Sequence, residues 1–174
     1  TGNSGPGAGV AYQGTWTVTN CAFTNNNGGN AGGVANGGTW YVFNSTFSEN
    51  TANSSDGGGV AYGSIWSVKN SLFHDNSAAQ GGVANLGIWT VTDSTFYNNT
   101  SAPNNGKTAY GGSWIVKNSI FWGNDDVFRT TTGTIEYCDV QSGWGNLTTG
   151  VGTISADPLF VSTSAGPDYL RLKT

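Results

Sequence analysis

Residues 32–50 read GGVANGGTWYVFNSTFSEN, and four further stretches repeat that text with drift. AGVAYQGTWTVTNCAFTNN precedes it, and GGVAYGSIWSVKNSLFHDN, GGVANLGIWTVTDSTFYNN and GKTAYGGSWIVKNSIFWGN follow. The tryptophans Trp16, Trp40, Trp66, Trp89 and Trp114 lie 24, 26, 23 and 25 residues apart. Within each copy the spacing is fixed. A phenylalanine (Phe23, Phe47, Phe73, Phe96, Phe121) comes seven residues after the tryptophan, and an asparagine (Asn26, Asn50, Asn76, Asn99, Asn124) three after that. A unit this short cannot bury a hydrophobic face alone, so repeats of this fidelity must stack, each covering the next.

Inside a unit, Trp and Val alternate with Thr, Ser or Lys, as over residues 39–43. Alternation with period two is the strand signal, and no segment sustains a helical period. Three short strands per unit are expected: at the Val34-Ala35 pair, from Thr39 to Phe43, and through Phe47. The stretches after the second asparagine, such as 51–57 and 101–106, vary in length and are rich in Gly, Asn, Ser and Ala, which reads as surface turns. These features specify an all-β chain, a right-handed parallel β-helix (β-solenoid) of about seven to eight rungs of mostly 23–26 residues, with equivalent residues ~4.8 Å apart along the axis. It forms one domain, 1–174, with a lead-in at 1–9, five regular repeats over 10–124 and shorter irregular C-terminal rungs over 125–174. In that last part Ile135 and Ile154 mark two short rungs, and Tyr169-Leu170-Arg171-Leu172 a final strand.

The stack predicts columns. The five tryptophans, the valines two residues on and the five phenylalanines point inward as the core, leaving Thr17, Tyr41, Ser67, Thr90 and Ile115 outward. Two polar columns, Asn20–Asn44–Asn70–Asp93–Asn118 and Asn26–Asn50–Asn76–Asn99–Asn124, are expected as amide ladders at corners. A stacked amide donates to one rung and accepts from the other; ionised Asp93 can only accept. The pairs Gly32-Gly33, Gly58-Gly59 and Gly81-Gly82 mark a further bend, expected in left-handed backbone and altered at Lys107.

Composition removes several function classes. Charged residues are 9% of the chain and the net charge is −4, with six Lys and Arg residues scattered, so a nucleic-acid partner is not expected. No apolar run approaches the ~20 residues of a membrane span. The 28 glycines would suit a disordered chain, but 13% aromatics at fixed phase argue for a packed core. The sequence lacks Met and starts mid-pattern, which reads as a mature form or fragment, secreted, extracellular or at the cell surface. Cys21 and Cys138 sit about five rungs apart, too far to pair, and show no metal-ligand spacing. The sequons at Asn44, Asn53, Asn98, Asn99 and Asn146 are what chance supplies in a chain rich in Asn, Ser and Thr.

Chemistry-bearing residues are sparse. The acids of the regular copies are Glu49, Asp56, Asp75 and Asp93. Glu49 and Asp75 share a column on adjacent rungs, ~4.8 Å apart, and are the weak catalytic candidates, since any two acids in one solenoid column approach the separation of a retaining glycosidase pair. His74, the single histidine, is adjacent and reads as a surface residue. Asp125-Asp126 could bind calcium, the one candidate ion, but also suits a solvated turn; no other cofactor is expected. The periodic glycines lead into no helix, so they make no phosphate loop. The outward columns mix Thr with Tyr, Phe and Lys, too irregular for an ice lattice. The reading that follows is a non-catalytic structural or adhesive solenoid. Its open strand edges would pair head to tail with copies of itself as filaments. The alternative is a carbohydrate-active module, binding polysaccharide through exposed aromatics such as Tyr97 and Trp122, or cleaving it.

The repeated NSTF-x-x-N and GG-V-A signatures, here Asn44–Asn50 and Gly32–Ala35, resemble bacterial right-handed parallel β-helix repeat proteins of the pectate-lyase-like superfamily. The order of Asn118–Asn124, Asp139-Val140-Gln141, Asp157-Pro158-Leu159-Phe160 and a Tyr-x-Leu strand is similar to the C-terminal part of large secreted or surface members. The resemblance implies the fold across nearly the whole chain. It leaves function open among polysaccharide lyases, hydrolases, adhesins and structural proteins. A lyase of this kind would cluster carboxylates around calcium on one outer sheet, beside a basic residue.

Overall fold

The computed structural model describes residues 1–53, 57–124, 126–164 and 170–173. The chain coils as a parallel β-solenoid with no helix among these residues. Each of the first four regular turns carries four strands, not three, and the fifth shows three among the described residues. In the second turn they are Ala35–Asn36, Thr39–Phe43, Thr46–Ser48 and Thr51–Ala52. The fourth falls in the stretch expected as turn, and it forms because Ala52 points inward and is buried. Corresponding strands pair in parallel from turn to turn and build four sheets of six, seven, six and five strands. Register is maintained residue by residue, Trp40 opposite Trp66 and Phe47 opposite Phe73.

The core is two aromatic stacks. Trp40, Trp66, Trp89 and Trp114 are buried with consecutive ring centroids 4.9, 4.7 and 4.8 Å apart and planes within 4°. Phe47, Phe73, Phe96 and Phe121 stack likewise and meet the indoles edge-on. A parallel in-register sheet sets this spacing, because its strand separation is close to the offset-stacking distance of aromatic rings. The indole N–H groups of Trp66, Trp89 and Trp114 are buried without a partner among the described residues, a cost that the stacked ring burial offsets. Trp16 departs from the expected core: it is 42% exposed, and Phe23 is only partly buried. Both belong to the outermost turn, where no rung covers their upper faces.

Three sequence expectations are corrected at the ends and bends. The stack has about five regular turns rather than seven to eight. Ile135 does belong to the core, but it pairs with Val116 in the valine column, and Gly133 takes the tryptophan position. Ile154 is 53% exposed and makes only an isolated bridge to Asp139. Leu172 bridges Phe160 antiparallel rather than pairing with the solenoid sheets; Tyr169 lies outside the described residues. The glycine pairs are required by close approach rather than by left-handed backbone. A Cβ on Gly59 would stand 2.0 Å from the Gly82 carbonyl oxygen, and of the three pairs only Gly81 has positive φ. The bend also survives Lys107, whose N–H bonds the Asp126 carbonyl while its Nζ folds back onto the Ser101 carbonyl.

The lead-in is a structural part of the stack. Ser4–Gly5 pairs with Asn27–Gly28 and so heads the fourth sheet. Gly2 has the left-handed conformation (φ 66) of Asn25 one turn later (φ 60). Residues 1–5 are thus the last corner and last strand of a turn.

Candidate functional site

Polar side chains of the repeat are sorted into three columns with different jobs. The column Asn26–Asn50–Asn76–Asn99–Asn124 is the buried amide ladder the spacing predicts. Asn76 shows the unit: its Oδ1 accepts from the backbone N–H and Nδ2 of Asn50 (3.0 and 2.9 Å), and its Nδ2 donates to the Phe47 carbonyl and to Asn99 Oδ1 (both 2.9 Å). All four hydrogen-bonding positions of the amide are used. Asn3 extends this ladder upward, its N–H and Nδ2 both donating to Asn26 Oδ1 at 3.2 Å. The interval from Asn3 to Asn26, 23 residues, matches the repeat and was the signal available in the sequence.

The other predicted ladder is not one. Asn20, Asn44, Asn70, Asp93 and Asn118 are exposed, and along that column the described residues show one side-chain bond, Asn118 Nδ2 to Asp93 Oδ1 at 3.3 Å. What these five share is left-handed backbone, φ 48–53. Asn and Asp tolerate that conformation better than other residues with a Cβ, so the corner selects them. The hydrogen-bonded column lies one residue on: Cys21, Ser45, Ser71, Ser94, Ser119 and Cys138. Each backbone N–H donates to the next hydroxyl, as Ser45 to Ser71 Oγ (3.2 Å), and each hydroxyl donates to the carbonyl two residues earlier. Both cysteines are free thiols that substitute for serine in this series. Ser119 N–H reaches Cys138 Sγ at 3.4 Å, and burial pushes the Cys138 thiol up to about 11.

The carboxylate candidates occupy a third corner column, Asn25–Glu49–Asp75–Asn98, again with left-handed backbone (φ 60, 56, 55 and 50). Glu49 N–H bonds the His74 carbonyl, which places Glu49 and Asp75 on adjacent rungs as the spacing predicts. Glu49 is exposed. Asp75 is held by two neighbours: its Oδ2 meets His74 Nδ1 at 2.6 Å, and its Oδ1 accepts from Asn98 Nδ2 at 2.5 Å. His74 is less outward than its sequence position suggests, with 16% of its side chain exposed. Asp93 lies 3.9 Å from Lys69 Nζ, and Glu136 lies 2.9 Å from Lys117 Nζ, which raises the Lys117 pKa. Asp56 and Asp125 lie outside the described residues. Among the described residues no three His, Cys, Asp or Glu side chains converge as a metal site.

Tyr97 and Trp122 occupy adjacent rungs of one column of the third sheet and are half-buried, and Tyr97 meets Phe160 of the C-terminal segment edge-on at 5.9 Å. That segment also borders an open cleft of ≈ 430 Å³ lined by Asn44, Asn70, Asp93, Thr46 and Leu170, among others. No helix among the described residues is long and apolar enough to cross a membrane. The sequence matches no protein-family model, and no curated protein or solved structure matches it.

Proposed function

We propose that this chain is a non-catalytic structural or adhesive β-solenoid, of the pectate-lyase-like right-handed superfamily in its bacterial surface form, working outside the cell as a stiff spacer. The observation that carries this reading is the fate of the polar groups. The buried amides bond one another along the axis, the hydroxyls of the next column bond backbone groups, and Asp75 and Asp93 stand at corners whose left-handed backbone selects Asn and Asp. A rod held by internal columns can present its faces without any convergent chemistry. The test is incubation with polygalacturonate, alginate and other uronic-acid polymers, with and without calcium. No unsaturated product is expected. Product that disappears in Glu49→Gln or Asp75→Asn would replace this reading with a lyase.

The second reading, polysaccharide binding, is favoured by the cleft under the C-terminal segment. There the side chains of Asn44, Asn70 and Asp93 recur once per rung, ~4.8 Å apart, close to the rise of a sugar in an extended glycan. Retention on an insoluble polysaccharide that Asp93→Ala abolishes would support it. Head-to-tail filaments are the less supported form of self-assembly, because the C-terminal end of the stack is overlaid by its own chain. Gly145 crosses the Phe128 carbonyl, and Leu147 is buried against the core.

A further inference from the structure

The outward side of the first sheet carries a column with a period of two rungs. Its strands are residue pairs: Ala11–Tyr12, Ala35–Asn36, Ala61–Tyr62, Ala84–Asn85, Ala109–Tyr110 and Phe128–Arg129. The first residue of each pair is buried in the core, so the second faces away from it. In-register pairing sets those second residues one above another as Tyr12, Asn36, Tyr62, Asn85, Tyr110 and Arg129. Tyrosine therefore returns at every second rung, ~9.5 Å apart, with an amide between. Side chains rooted at that interval do not repeat the ring-on-ring stack of the core indoles. Tyr62, Asn85 and Tyr110 lie inside the stack, with rungs on both sides, and form a complete unit of this pattern.

We propose that this column binds a neutral, extended β-1,4-linked glycan laid along the solenoid axis, one sugar to a rung. In such a chain successive sugars are turned over, so the same face recurs at every second sugar, as tyrosine recurs at every second rung. A phenol ring covers the C–H face of a pyranose, and an amide meets the hydroxyls of the next sugar, which donate and accept as it does. Between Tyr12 and Tyr62 that amide is Asn36, half-buried. Between Tyr62 and Tyr110 it is Gln80. Asn85, 3% exposed, donates its Nδ2 to Gln80 Oε1 at 3.0 Å, which fixes the glutamine in place and leaves Nε2 as its donor. Tyr62 and Tyr110 are themselves half-buried, which reduces the side-chain freedom that a ligand has to freeze.

The corner beside the column is low. Glycine follows Asn36, Tyr62 and Tyr110, with φ 70, 58 and 69, and a Cβ at Gly63 would meet nothing within 4 Å. Leu86, the bulky residue of this corner, is 44% exposed and lies against Gly111, adding an apolar edge beside Tyr110. The five rungs from Tyr12 to Tyr110 carry no charge in this column, and Arg129 is the first, on the sixth. Repeated carboxylates would find no repeated partner there, so the ligand is neutral. The site does not rest on the cleft at Asn44, Asn70 and Asp93. That cleft opens after the long strands and the tyrosine column precedes them, so either can bind without the other.

Calorimetric titration of the full chain with β-1,4-linked hexasaccharides of glucose, mannose and N-acetylglucosamine tests the proposal. At least one should bind, and the α-1,4-linked glucose hexasaccharide, which curls and lacks the turned-over alternation, should not. Affinity should fall about tenfold or more in the double variant Tyr62→Ala/Tyr110→Ala, and survive in Tyr62→Phe/Tyr110→Phe and in Asp93→Ala. A trisaccharide reaches from Tyr62 to Tyr110 and a disaccharide does not, so the largest loss on shortening should fall between three sugars and two. Thermal unfolding separates loss of the site from loss of the fold; if the double alanine variant unfolds, the length series and the α/β comparison decide. No binding of any β-linked probe, equal binding of the α-linked one, or unchanged affinity in a folded double alanine variant would overturn the proposal. So would preference for a proline-rich peptide, whose ~9.3 Å turn also spans two rungs. Binding lost in Asp93→Ala but kept in both tyrosine variants would sink this site and leave the cleft standing.

Discussion

Replacing Asn76 with alanine tests whether the buried ladder, rather than the exposed corner column, holds the turns together. The substitution deletes two bonds to Asn50, one to the Phe47 carbonyl and one to Asn99 Oδ1. It strands two buried donors, the Asn50 N–H and one Asn50 amide hydrogen, inside a column whose members are at most 1% exposed from Asn26 to Asn124. An unsatisfied buried donor costs about 1–3 kcal/mol, so Asn76→Ala should cost about 3–5 kcal/mol. Asn70→Ala is the control from the neighbouring column. Asn70 is exposed with φ 49, so alanine there should cost only about 1–2 kcal/mol of left-handed strain, and Asn70→Gly close to nothing. Equilibrium urea unfolding followed by tryptophan fluorescence would report all three. The loss is concentrated in the turns that touch the substituted one. Equal midpoints for Asn76→Ala and Asn70→Ala, or an unchanged midpoint for Asn76→Ala, would refute the assignment of the ladder.

Phe73→Ala, at the centre of the ring stack, should cost about 3–5 kcal/mol in the same assay, well above Tyr97→Ala on the outer column. Gly59→Ala should be at least as damaging, because its Cβ would overlap the Gly82 carbonyl and neither backbone can yield without disturbing a rung; a silent variant would mean the turns are further apart than 2.0 Å implies. Cys138 carries a pH signature. Its folded pKa is raised from 9.0 to about 11, so the folded and unfolded thiols are both protonated below pH 9, and between about pH 9 and 11 the unfolded chain loses a proton that the folded one keeps. Stability should therefore fall across that window, and Cys138→Ser, which supplies the hydroxyl native to this column, should remove that part of the slope while preserving the fold.

The sequence by itself determined the solenoid, the two aromatic stacks and one of the two polar columns. It could do so because the structure is a one-dimensional stack: a residue recurring at the repeat interval must land on its own copy in the next turn, and in-register parallel pairing makes spacing equivalent to contact. Hence Trp40 over Trp66 and Asn50 over Asn76 were legible from text alone. The Glu49–Asp75 adjacency was legible for the same reason, although the clamp of His74 and Asn98 on Asp75 was not. Recurrence, however, does not say which way a side chain faces at a bend. Asn70 and Asn76 recur equally well, yet the first is retained for its left-handed backbone and the second for its four hydrogen bonds. Only the path of the corners decides between them. The ends too were beyond the sequence, because a periodic pattern describes the middle of a stack and carries no term for a missing neighbour. The exposure of Trp16 and the overlay of Gly145 on Phe128 follow from where stacking stops, which is a property of the assembled coil.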